Sequence, residues 1–327
     1  MSDASALPEH YEEPVIVEGD DRIVNTFNFT GYDPGSGWGF VVGMNSLPKD
    51  DGTLWRHVVM GFHPSGDVLV DKGYGRSSGS PGTGILNYTC AVPFKSWHLS
   101  FDGFAQRTSA NAVRDRVLQM DVDSRLRFAL DYNAIMPAWG HETDGEVAGV
   151  HYEQNGRVKG WFEFDGERVP FDGVGFRDRI LGPKNTGLMK AHNWMNGTFA
   201  SGKTFALTVV SIDADGADGI ATACLRRDGV VQDARIVKMP MWDDVEEDPA
   251  PFTMILESEA GAAEIEVEPI HSLPWMYRPA PEVGLQAALW GMDRSRSGDL
   301  LIWESPSKFT WDGEVGYGHV ERSRKLP

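Results

Sequence analysis

Residues 157–171 read RVKGWFEFDGERVPF, in which two runs rich in apolar and aromatic residues flank the dipeptide Asp165-Gly166. Asp-Gly tolerates the positive φ angles that a two-residue β-hairpin turn requires. The stretch therefore predicts an antiparallel hairpin, with one strand at 157–164 and the other at 167–171.

The same turn signal recurs along the whole chain. Asp-Gly occurs nine times, starting at Asp51, Asp102, Asp144, Asp165, Asp172, Asp215, Asp218, Asp228 and Asp312, and Asn-Gly starts at Asn155 and Asn196. Between these turns, segments such as 125–130 and 263–267 alternate polar and apolar residues, which is the period of a strand with one buried face. The sequence therefore predicts an all-β protein of antiparallel strands. Helical periodicity is weak, with its best candidate at 109–118.

Length and composition limit the class of protein. With 327 residues, the chain can form two ordinary domains or one large all-β unit. The hydrophobic fraction of 41% and the charged fraction of 24% exclude a disordered chain, a coiled coil and a membrane bundle. The net charge of −18 disfavours binding to nucleic acid or to an anionic membrane, and it favours a small neutral or cationic ligand.

Targeting signals and cysteine content indicate a cytoplasmic protein. No segment approaches the ~18–20 consecutive apolar residues of a membrane span, and residues 1–10 lack the basic and apolar regions of a signal peptide. Cys90 and Cys224 are too few for a disulfide framework or a zinc site, so we expect two buried thiols. The oligomeric state stays open between a monomer and a homodimer.

Three short motifs match nucleotide or nucleophile patterns without their structural context. Residues 73–79 resemble a dinucleotide fingerprint, 75–79 fit a nucleophile elbow, and 197–204 fit a phosphate-binding loop. Each of these motifs works by leading into a helix, whereas the residues that follow them here predict loop or strand. No histidine pair has the spacing of metal ligands. We therefore predict a protein with no organic cofactor and no metal.

The eleven tryptophans are many for this length, and several lie close to histidines in the sequence. An aromatic cavity with a few polar groups is typical of a site for a hydrophobic small molecule, although core packing would explain any single tryptophan. The residues that we predict to line such a site are Trp194, Trp38, His57, Tyr132, Trp275 and His271.

Three stretches resemble one known superfamily. They are HYEQNG at 151–156, DGVGFRDRILGP at 172–183 and GEVGYGHVE at 313–321. Together they resemble the tandem-lipocalin superfamily, which includes carotenoid 1,2-hydratases, kievitone-hydratase-like proteins, AttH-like proteins and some fungal Diels–Alderases. The resemblance implies two lipocalin-like β-barrels in tandem, which we place at residues 1–171 and 172–327.

The resemblance also implies a chemistry. The hydratase relatives add water across an isoprenoid double bond without an organic cofactor. We therefore expect a lyase or isomerase of the hydratase–dehydratase type that acts on a hydrophobic unsaturated molecule, such as a terpenoid, a steroid or an aromatic compound. Two alternatives stay open: a protein that only binds such a ligand, and a pericyclase-type cyclase. Titratable side chains in the cavity would favour the acid–base enzyme over both.

The stretch around Asp178 supplies candidate catalytic groups. On a strand, Arg177 and Arg179 share one face and Asp178 points to the other. A carboxyl group in an apolar cavity has a raised pKa and can serve as a general acid, whereas an ion pair with arginine would make Asp178 structural. Glu153 is an alternative acid, with the same structural alternative.

His192 is the candidate partner for this acid. Relatives often carry Asp-His-Ser-Trp-Gly where this chain has Asp178-Arg179-Ile180-Leu181-Gly182, so another histidine would have to replace the missing one. His192 and Trp194 are two apart, so on a strand they share a face and would enter the same barrel interior. We predict Asp178 and His192 as the acid–base pair. Arg179 stays protonated, so it would bind a substrate oxygen if it faces the interior.

Overall fold

The computed structural model of the protein describes residues 7–15, 23–47, 54–114, 124–142, 149–183, 188–212, 219–242, 249–278, 287–290, 292–293 and 295–327. Strands make up 71% of the structure and helices 4%, which confirms the predicted all-β class. The strands form two closed antiparallel barrels of eight strands each. Among the described residues, one compact unit comprises 7–108 and 124–183, and the other comprises 109–114 and the residues from 188 onward.

The first unit contains the first barrel and a short 3-10 helix at Glu9–Glu12. Its strands are β1 (Ile23–Tyr32), β2 (Gly39–Ser46), β3 (Leu54–Phe62), β4 (Asp67–Arg76), β5 (Leu86–Val92), β6 (Ser96–Ser109), β7 (Ser124–Ala134), β8 (Trp139–Glu142), β9 (Val150–Phe164) and β10 (Glu167–Pro183). The barrel closes because β10 pairs with β9 on one side and with β1 on the other. Strands β5 and β8 lie outside this ring, paired with β6 and β9.

The second unit contains the second barrel and helix α1 (Ala110–Arg114). Its strands are β11 (Ala191–Phe199), β12 (Thr204–Ser211), β13 (Gly219–Arg227), β14 (Val230–Lys238), β15 (Phe252–Ser258), β16 (Gly261–Pro269), β17 (Leu273–Arg278), β18 (Ala287–Trp290), β19 (Leu300–Trp311) and β20 (Glu314–Lys325). The barrel closes because β20 pairs with β11 and β16 pairs with β19. Strands β17 and β18 extend the sheet beyond β19.

Three of the predicted Asp-Gly turns join consecutive strands. Asp165, Asp228 and Asp312 have φ angles of 50°, 50° and 51°, and the glycine after each also has a positive φ. They connect β9 to β10, β13 to β14 and β19 to β20. A two-residue turn of this kind fixes the register of both strands, so these three hairpins determine which side chains lie opposite each other.

The pair Asp172-Gly173, by contrast, lies inside β10 rather than in a turn. Glycine is required there because a Cβ at Gly173 would lie 2.3 Å from the carbonyl oxygen of Tyr32. Strand β10 continues to Pro183 and pairs with β1 of the same barrel. The domain change that we placed at residues 171–172 therefore falls within a strand of the first barrel, and the first unit includes the described residues up to 183.

The structure also locates the phosphate-loop match, the helix candidate and the two cysteines of the sequence. The phosphate-loop match at 197–204 is a hairpin, because β11 ends at Phe199 and β12 begins at Thr204. Helix α1 covers part of 109–118, and residues 115–118 lie outside the described ranges. Both cysteines are free thiols, with Cys224 buried and Cys90 half-buried. Within the described ranges, no helix has the length and apolar character that a membrane crossing needs.

The interiors of the two barrels are packed with apolar side chains. The core of the first barrel is largely aromatic and includes Phe27, Phe29, Trp38, Phe40, Trp55, Trp97, Phe101, Phe128, Tyr132 and Phe162. The core of the second barrel mixes aliphatic and aromatic residues and includes Met195, Phe199, Phe205, Leu207, Leu225, Leu256, Ile265, Phe309, Trp311 and Val320.

The chain segment before β1 reaches into the first barrel. Glu12 is only 1% exposed. Its carboxylate accepts hydrogen bonds from Arg177 Nη1 at 2.8 Å, from Trp97 Nε1 at 2.9 Å and from the Phe94 N–H at 2.9 Å. The segment is therefore held by a buried ion pair as well as by apolar packing.

Candidate functional site

A pair of glutamates lies on the outer face of the second barrel. Glu304 on β19 and Glu321 on β20 are directly opposite each other in the antiparallel ladder. Their chain neighbours Trp303 and Val320 belong to buried hydrophobic clusters. Because successive side chains of a strand alternate between faces, the glutamates point the other way. Glu304 is nevertheless only 2% exposed, so this outer face is buried as well.

The strand register surrounds this pair with aromatic and polar side chains. Trp194 on β11 lies opposite Glu321, and the pairs on either side of it are His192 with Ser323 and Asn196 with His319. Trp275 on β17 lies opposite Ile302, two residues from Glu304 on β19, so it is on the same face as Glu304. We name this set of side chains the β20 face; its members are His192, Trp194, Asn196, Trp275, Glu304, His319, Glu321 and Ser323.

Hydrogen bonds connect the two carboxyl groups to the histidines. His319 Nε2 lies 2.6 Å from Glu304 Oε2, and Trp275 Nε1 donates to Glu304 Oε1 at 3.2 Å. His192 Nδ1 lies 2.8 Å from Glu321 Oε1. Glu304 and Glu321 also share a hydrogen bond. Each carboxyl group therefore has a histidine partner, and a proton can pass between the two carboxyl groups.

Burial sets the protonation state of the pair. Removal from water raises the pKa of the Glu304 carboxyl well above its ordinary value of 4.5, and the charge of Glu321 raises it further. Burial lowers the pKa of His319 to about 4, so this imidazole is neutral at pH 7. The raised pKa favours the protonated form of Glu304, and a carboxyl group that holds its proton can act as a general acid.

His319 should make the stability of the protein depend on pH in a defined window. Its pKa is about 4 in the folded protein against an ordinary value of 6.5, so between these values the unfolded chain binds more protons. The free energy of unfolding then falls as the pH falls, by about 2 kcal/mol from pH 7 to pH 5. We expect His319→Gln to remove this part of the pH dependence, measured by urea unfolding at the two pH values.

His98→Gln is the matched control for this measurement, because the His98 side chain is 48% exposed. The control variant should keep the pH dependence of the wild-type protein. A wild-type pH dependence in the His319→Gln variant would contradict a neutral, buried imidazole at position 319.

Three of the residues predicted for the site meet on the β20 face. His192 and Trp194 share a face, as their spacing predicts. This face is the outer face of the second barrel and not its interior. Met195, the residue next to Trp194, points to the opposite side and belongs to the barrel core. Trp275 joins them through its hydrogen bond to Glu304. The backbone carbonyl of His271 accepts a hydrogen bond from the Ser305 hydroxyl.

Asp178 and Glu153 form a second acid pair, on the outer face of the first barrel. They lie opposite each other on β10 and β9 and are 5% and 2% exposed. Asn28 Nδ2 donates to Asp178 Oδ2 at 2.9 Å, and His151 Nε2 lies 2.8 Å from Asp178 Oδ1. The structure thus pairs Asp178 with His151 within the first unit, whereas the predicted partner, His192, pairs with Glu321 in the second.

The same cluster could hold a metal ion. His151, Glu153 and Asp178 each offer one ligand atom, and these atoms lie within 4.8 Å of one another. An imidazole nitrogen with two carboxylate oxygens suits a divalent ion such as zinc or manganese. The sequence prediction of no metal considered histidine pairs only, so it did not consider this group.

Arg177 and Arg179 share a face, as their spacing predicts, and it is the face toward the interior of the first barrel, because they lie opposite the core residues Phe29 and Phe27. Arg179 is fully buried, with its guanidinium carbon 4.0 Å from the centroid of the Phe27 ring. The guanidinium donates to the backbone carbonyl oxygens of Tyr11 at 2.9 Å and Glu13 at 3.1 Å. Because these donors hold the N-terminal segment, the predicted role of Arg179 in binding a substrate oxygen gains no support from its position.

The other aromatic and histidine candidates lie inside the first barrel. Trp38 stacks on Phe162 with 4.9 Å between ring centroids, and Tyr132 Oη donates to a backbone carbonyl at 2.7 Å. His57 is 1% exposed and hydrogen-bonds to Asp71 at 2.8 Å. These three side chains belong to the packed interior of the first barrel, on the opposite side of its sheet from Asp178 and Glu153.

Glu304, Glu321 and His319 were not predicted as site residues, although the sequence carries a signal for Glu321. The pattern Gly-x-Gly-x-x-acid-Arg occurs at 173–179 and again at 316–322. Each copy lies on the strand that closes a barrel, β10 or β20, and its acid lies opposite a glutamate of the preceding ring strand. Asp178 and Glu321 thus occupy equivalent positions, so an alignment of the two halves would have found Glu321.

Three solved structures have a similar fold. An AttH-like protein from Nitrosomonas europaea is 13% identical with a TM-score of 0.62, covering 95% of this chain and 99% of that chain. CghA is 11% identical with a TM-score of 0.56, covering 94% and 89%. Kievitone hydratase from Nectria haematococca is 12% identical with a TM-score of 0.53, covering 95% and 94%. At these identities the likeness shows the fold alone.

The tandem-barrel fold that the resemblance implies is shared with these structures, which include an AttH-like protein and kievitone hydratase. No curated protein sequence matches the chain. One family model covers nearly the whole sequence, from residue 16 to residue 325. The chain therefore belongs to the family described as a domain of unknown function, DUF7064.

Proposed function

We propose that the protein is a cofactor-independent lyase of the hydratase–dehydratase type, which acts on a hydrophobic unsaturated small molecule at the β20 face. The observation that carries this proposal is the hydrogen-bonded pair of the buried Glu304 and the half-buried Glu321, with a histidine on each carboxyl group. A shared proton between two carboxyl groups in apolar surroundings is what general acid–base catalysis requires. The fold shared with kievitone hydratase supports the same reaction class.

The proposed addition of water uses each member of the pair once. Glu304 donates its proton to one carbon of the double bond, which leaves a cation on the other carbon. The indole rings of Trp194 and Trp275 stabilise that cation through their electron-rich faces. Water attacks the cation and gives a proton to Glu321, and the carboxyl–carboxyl hydrogen bond returns a proton to Glu304. One molecule of water is added, and the reverse sequence removes it.

Isotope labelling tests this proposal. The full chain is incubated in H₂¹⁸O with kievitone, linalool and farnesol as probes, which carry prenyl or allylic alcohol groups, and the products are analysed by mass spectrometry. We expect at least one probe either to gain one labelled water or to lose water. A reversible reaction would also exchange the hydroxyl group of the probe for a labelled one. The same incubation with the Glu304→Gln variant should incorporate label far more slowly.

The two alternatives predict different products. An isomer of unchanged mass without label would indicate a cyclase, for which the face only orders one conformer of the substrate. A probe that binds without any conversion, or a hydrophobic ligand that co-purifies unchanged in native mass spectrometry, would indicate a carrier. Either result would overturn the hydratase proposal.

A further inference from the structure

We infer that His151, Glu153 and Asp178 of the first barrel bind a divalent metal ion, and that zinc is the ion that suits them best. We name these three side chains the β9–β10 cluster. The inference goes beyond the proposed function and does not rest on it, because no step proposed at the β20 face uses a metal. It gives the first barrel a binding site of its own.

The strand register brings the three ligands together. His151 and Glu153 are two residues apart on β9, so their side chains share a face. Asp178 lies directly opposite Glu153 on β10, and the two-residue turn at Asp165-Gly166 fixes this register. The ligands therefore come from two hydrogen-bonded strands, which hold a metal site more precisely than loops do.

The distances between the ligand atoms suit one small ion. His151 Nε2 lies 2.8 Å from Asp178 Oδ1 and 3.6 Å from Glu153 Oε1, and the cluster offers three ligand atoms that all lie within 4.8 Å of one another. Zinc binds imidazole nitrogen and carboxylate oxygen at ~2.0–2.2 Å, which places two ligands of a tetrahedral ion ~3.3–3.6 Å apart. Small rotations of these side chains would therefore complete the coordination of one zinc ion.

Burial and charge favour a cation at this position. Glu153 and Asp178 are 2% and 5% exposed, and two adjacent buried carboxylates are costly unless positive charge balances them. Arg177 and Arg179 flank Asp178 in the chain but point to the opposite face of β10. A protonated His151 would balance only one of the two carboxylates. A divalent ion beside a neutral imidazole balances both and leaves a site without net charge.

A neighbouring amide orients one ligand of the cluster. Asn28 Nδ2 donates to Asp178 Oδ2 at 2.9 Å, and the other carboxylate oxygen, Oδ1, faces His151. Hydrogen bonds of this kind fix the direction of a ligating carboxylate and accompany the ligands of metal sites. The contact therefore holds Asp178 in the direction that metal binding requires.

The second barrel shows what the cluster adds to an acid pair. Glu304 is equivalent to Glu153, since each lies opposite the acid of the Gly-x-Gly-x-x-acid-Arg pattern. The residue two positions earlier is His151 on β9 but Ile302 on β19. Within the described ranges, the β9–β10 cluster is the one group of three histidine, cysteine or acidic side chains close enough to share an ion. The two acid pairs therefore serve different purposes, a shared proton in the second barrel and a metal ion in the first.

Isothermal titration calorimetry with zinc chloride tests the inference. The full chain without a histidine tag is freed of metal with EDTA, dialysed and titrated at pH 7. We expect one zinc ion to bind per chain and to raise the midpoint of urea unfolding, because the three ligands are together only in the folded state. Calcium chloride should bind far more weakly, because calcium needs more oxygen ligands than the cluster offers.

Variants assign the zinc ion to the cluster. His151→Gln and Asp178→Asn nearly keep the size of the side chains and each alter one ligand. Each should weaken zinc binding by more than the ~10–100-fold that loss of an outer partner of a metal ligand costs. His98→Gln is the matched control, because His98 also pairs with an aspartate, Asp131, but is 48% exposed. The control variant should keep the zinc affinity of the wild-type protein.

Three results would overturn the inference. They are no saturable binding of zinc to the wild-type protein, an affinity that His151→Gln and Asp178→Asn leave unchanged, and an affinity that falls instead in His192→Gln, which would place the ion at the β20 face. Far-ultraviolet circular dichroism shows whether each variant folds. Glu153→Gln takes the place of a variant that does not fold, because it also alters one ligand of the cluster. Since the readout is zinc binding, the result is independent of turnover at the β20 face.

Discussion

Glu304→Gln is expected to lower the rate of conversion by ~10²–10⁴-fold, the usual contribution of a general acid. Glutamine keeps the shape of the side chain and can still accept the hydrogen bond from Trp275, but it has no proton of suitable acidity to donate. Ligand affinity should stay near the wild-type value because the face keeps its packing. The measurement is the initial rate of label incorporation from H₂¹⁸O with the probe that the wild-type protein converts.

Glu268→Gln is the matched control, because Glu268 is an exposed glutamate on β16 whose partner is Lys308. This variant should keep the wild-type rate. Glu321→Gln should lose activity like Glu304→Gln, since the proposed reaction needs both carboxyl groups. A Glu304→Gln variant that folds and converts the probe at the wild-type rate would refute the acid role.

The same substitution should stabilise the protein at higher pH, which gives a second and independent measurement. The folded-state pKa of Glu304 is raised, so its favourable contribution is complete below the ordinary value of 4.5 and is lost as the pH rises toward the folded-state value. Glutamine does not ionise and avoids this loss. The unfolding midpoint of Glu304→Gln in urea should therefore exceed that of the wild-type protein by more at pH 8 than at pH 5. A gain in stability with a loss of activity is typical of a functional group held in an unfavourable environment.

The all-β class was predictable because its signals are local. Asp-Gly turns and alternating segments each involve a few consecutive residues. The same turns also determine two long-range residue pairs that we did not predict. A two-residue turn at Asp165-Gly166 places Glu153 opposite Asp178, and the turn at Asp312-Gly313 places Glu304 opposite Glu321. Both acid pairs could therefore have been predicted from turn positions alone.

The buried outer face was not predictable in this way. Strand β11, which carries His192 and Trp194, is buried at all but one position, on both of its faces, and a strand buried on both faces loses the alternation that marks an inner and an outer side. The sequence rule that apolar faces point inward therefore placed His192 and Trp194 in a barrel interior. Likewise, Asp172-Gly173 predicted a turn, whereas Gly173 serves the close approach of β10 to Tyr32.

The second large effect concerns stability and the segment before β1. Glu12→Ala is expected to lower the free energy of unfolding by ~3–5 kcal/mol, because it leaves the guanidinium of Arg177 buried without its charge partner. Arg177 is 2% exposed, and its Nη1 lies 2.8 Å from Glu12 Oε1. Trp97 Nε1 would lose its acceptor as well. Urea unfolding at pH 7 measures the loss, with Glu13→Ala as the control, since the neighbouring Glu13 is exposed.

The ion pair between Glu12 and Arg177 should also make the free energy of unfolding depend on pH in the acid range. Burial pushes the pKa of Glu12 up, but the Arg177 guanidinium and the hydrogen bonds from Tyr152 and the Phe94 N–H outweigh it and hold the pKa below 4.5. A lowered carboxyl pKa contributes stability that is complete above 4.5 and is lost as the pH falls through the folded-state value. The stability difference between the wild-type protein and Glu12→Ala should therefore shrink below pH 4.5.

A double variant decides whether charge, rather than lost packing, causes the effect. Glu12→Leu combined with Arg177→Met removes both charges and keeps apolar volume among the rings of Trp97 and Tyr152, which lie 5.9 Å and 5.3 Å from the guanidinium carbon. Replacing both members of a buried ion pair by apolar residues is often neutral or stabilising, whereas removing one member is costly. We therefore expect the double variant to recover most of the stability that Glu12→Ala loses. If the double variant is no more stable than Glu12→Ala, the N-terminal segment is held by its backbone hydrogen bonds to Arg179 and by packing, and the charge of Arg177 does not need Glu12.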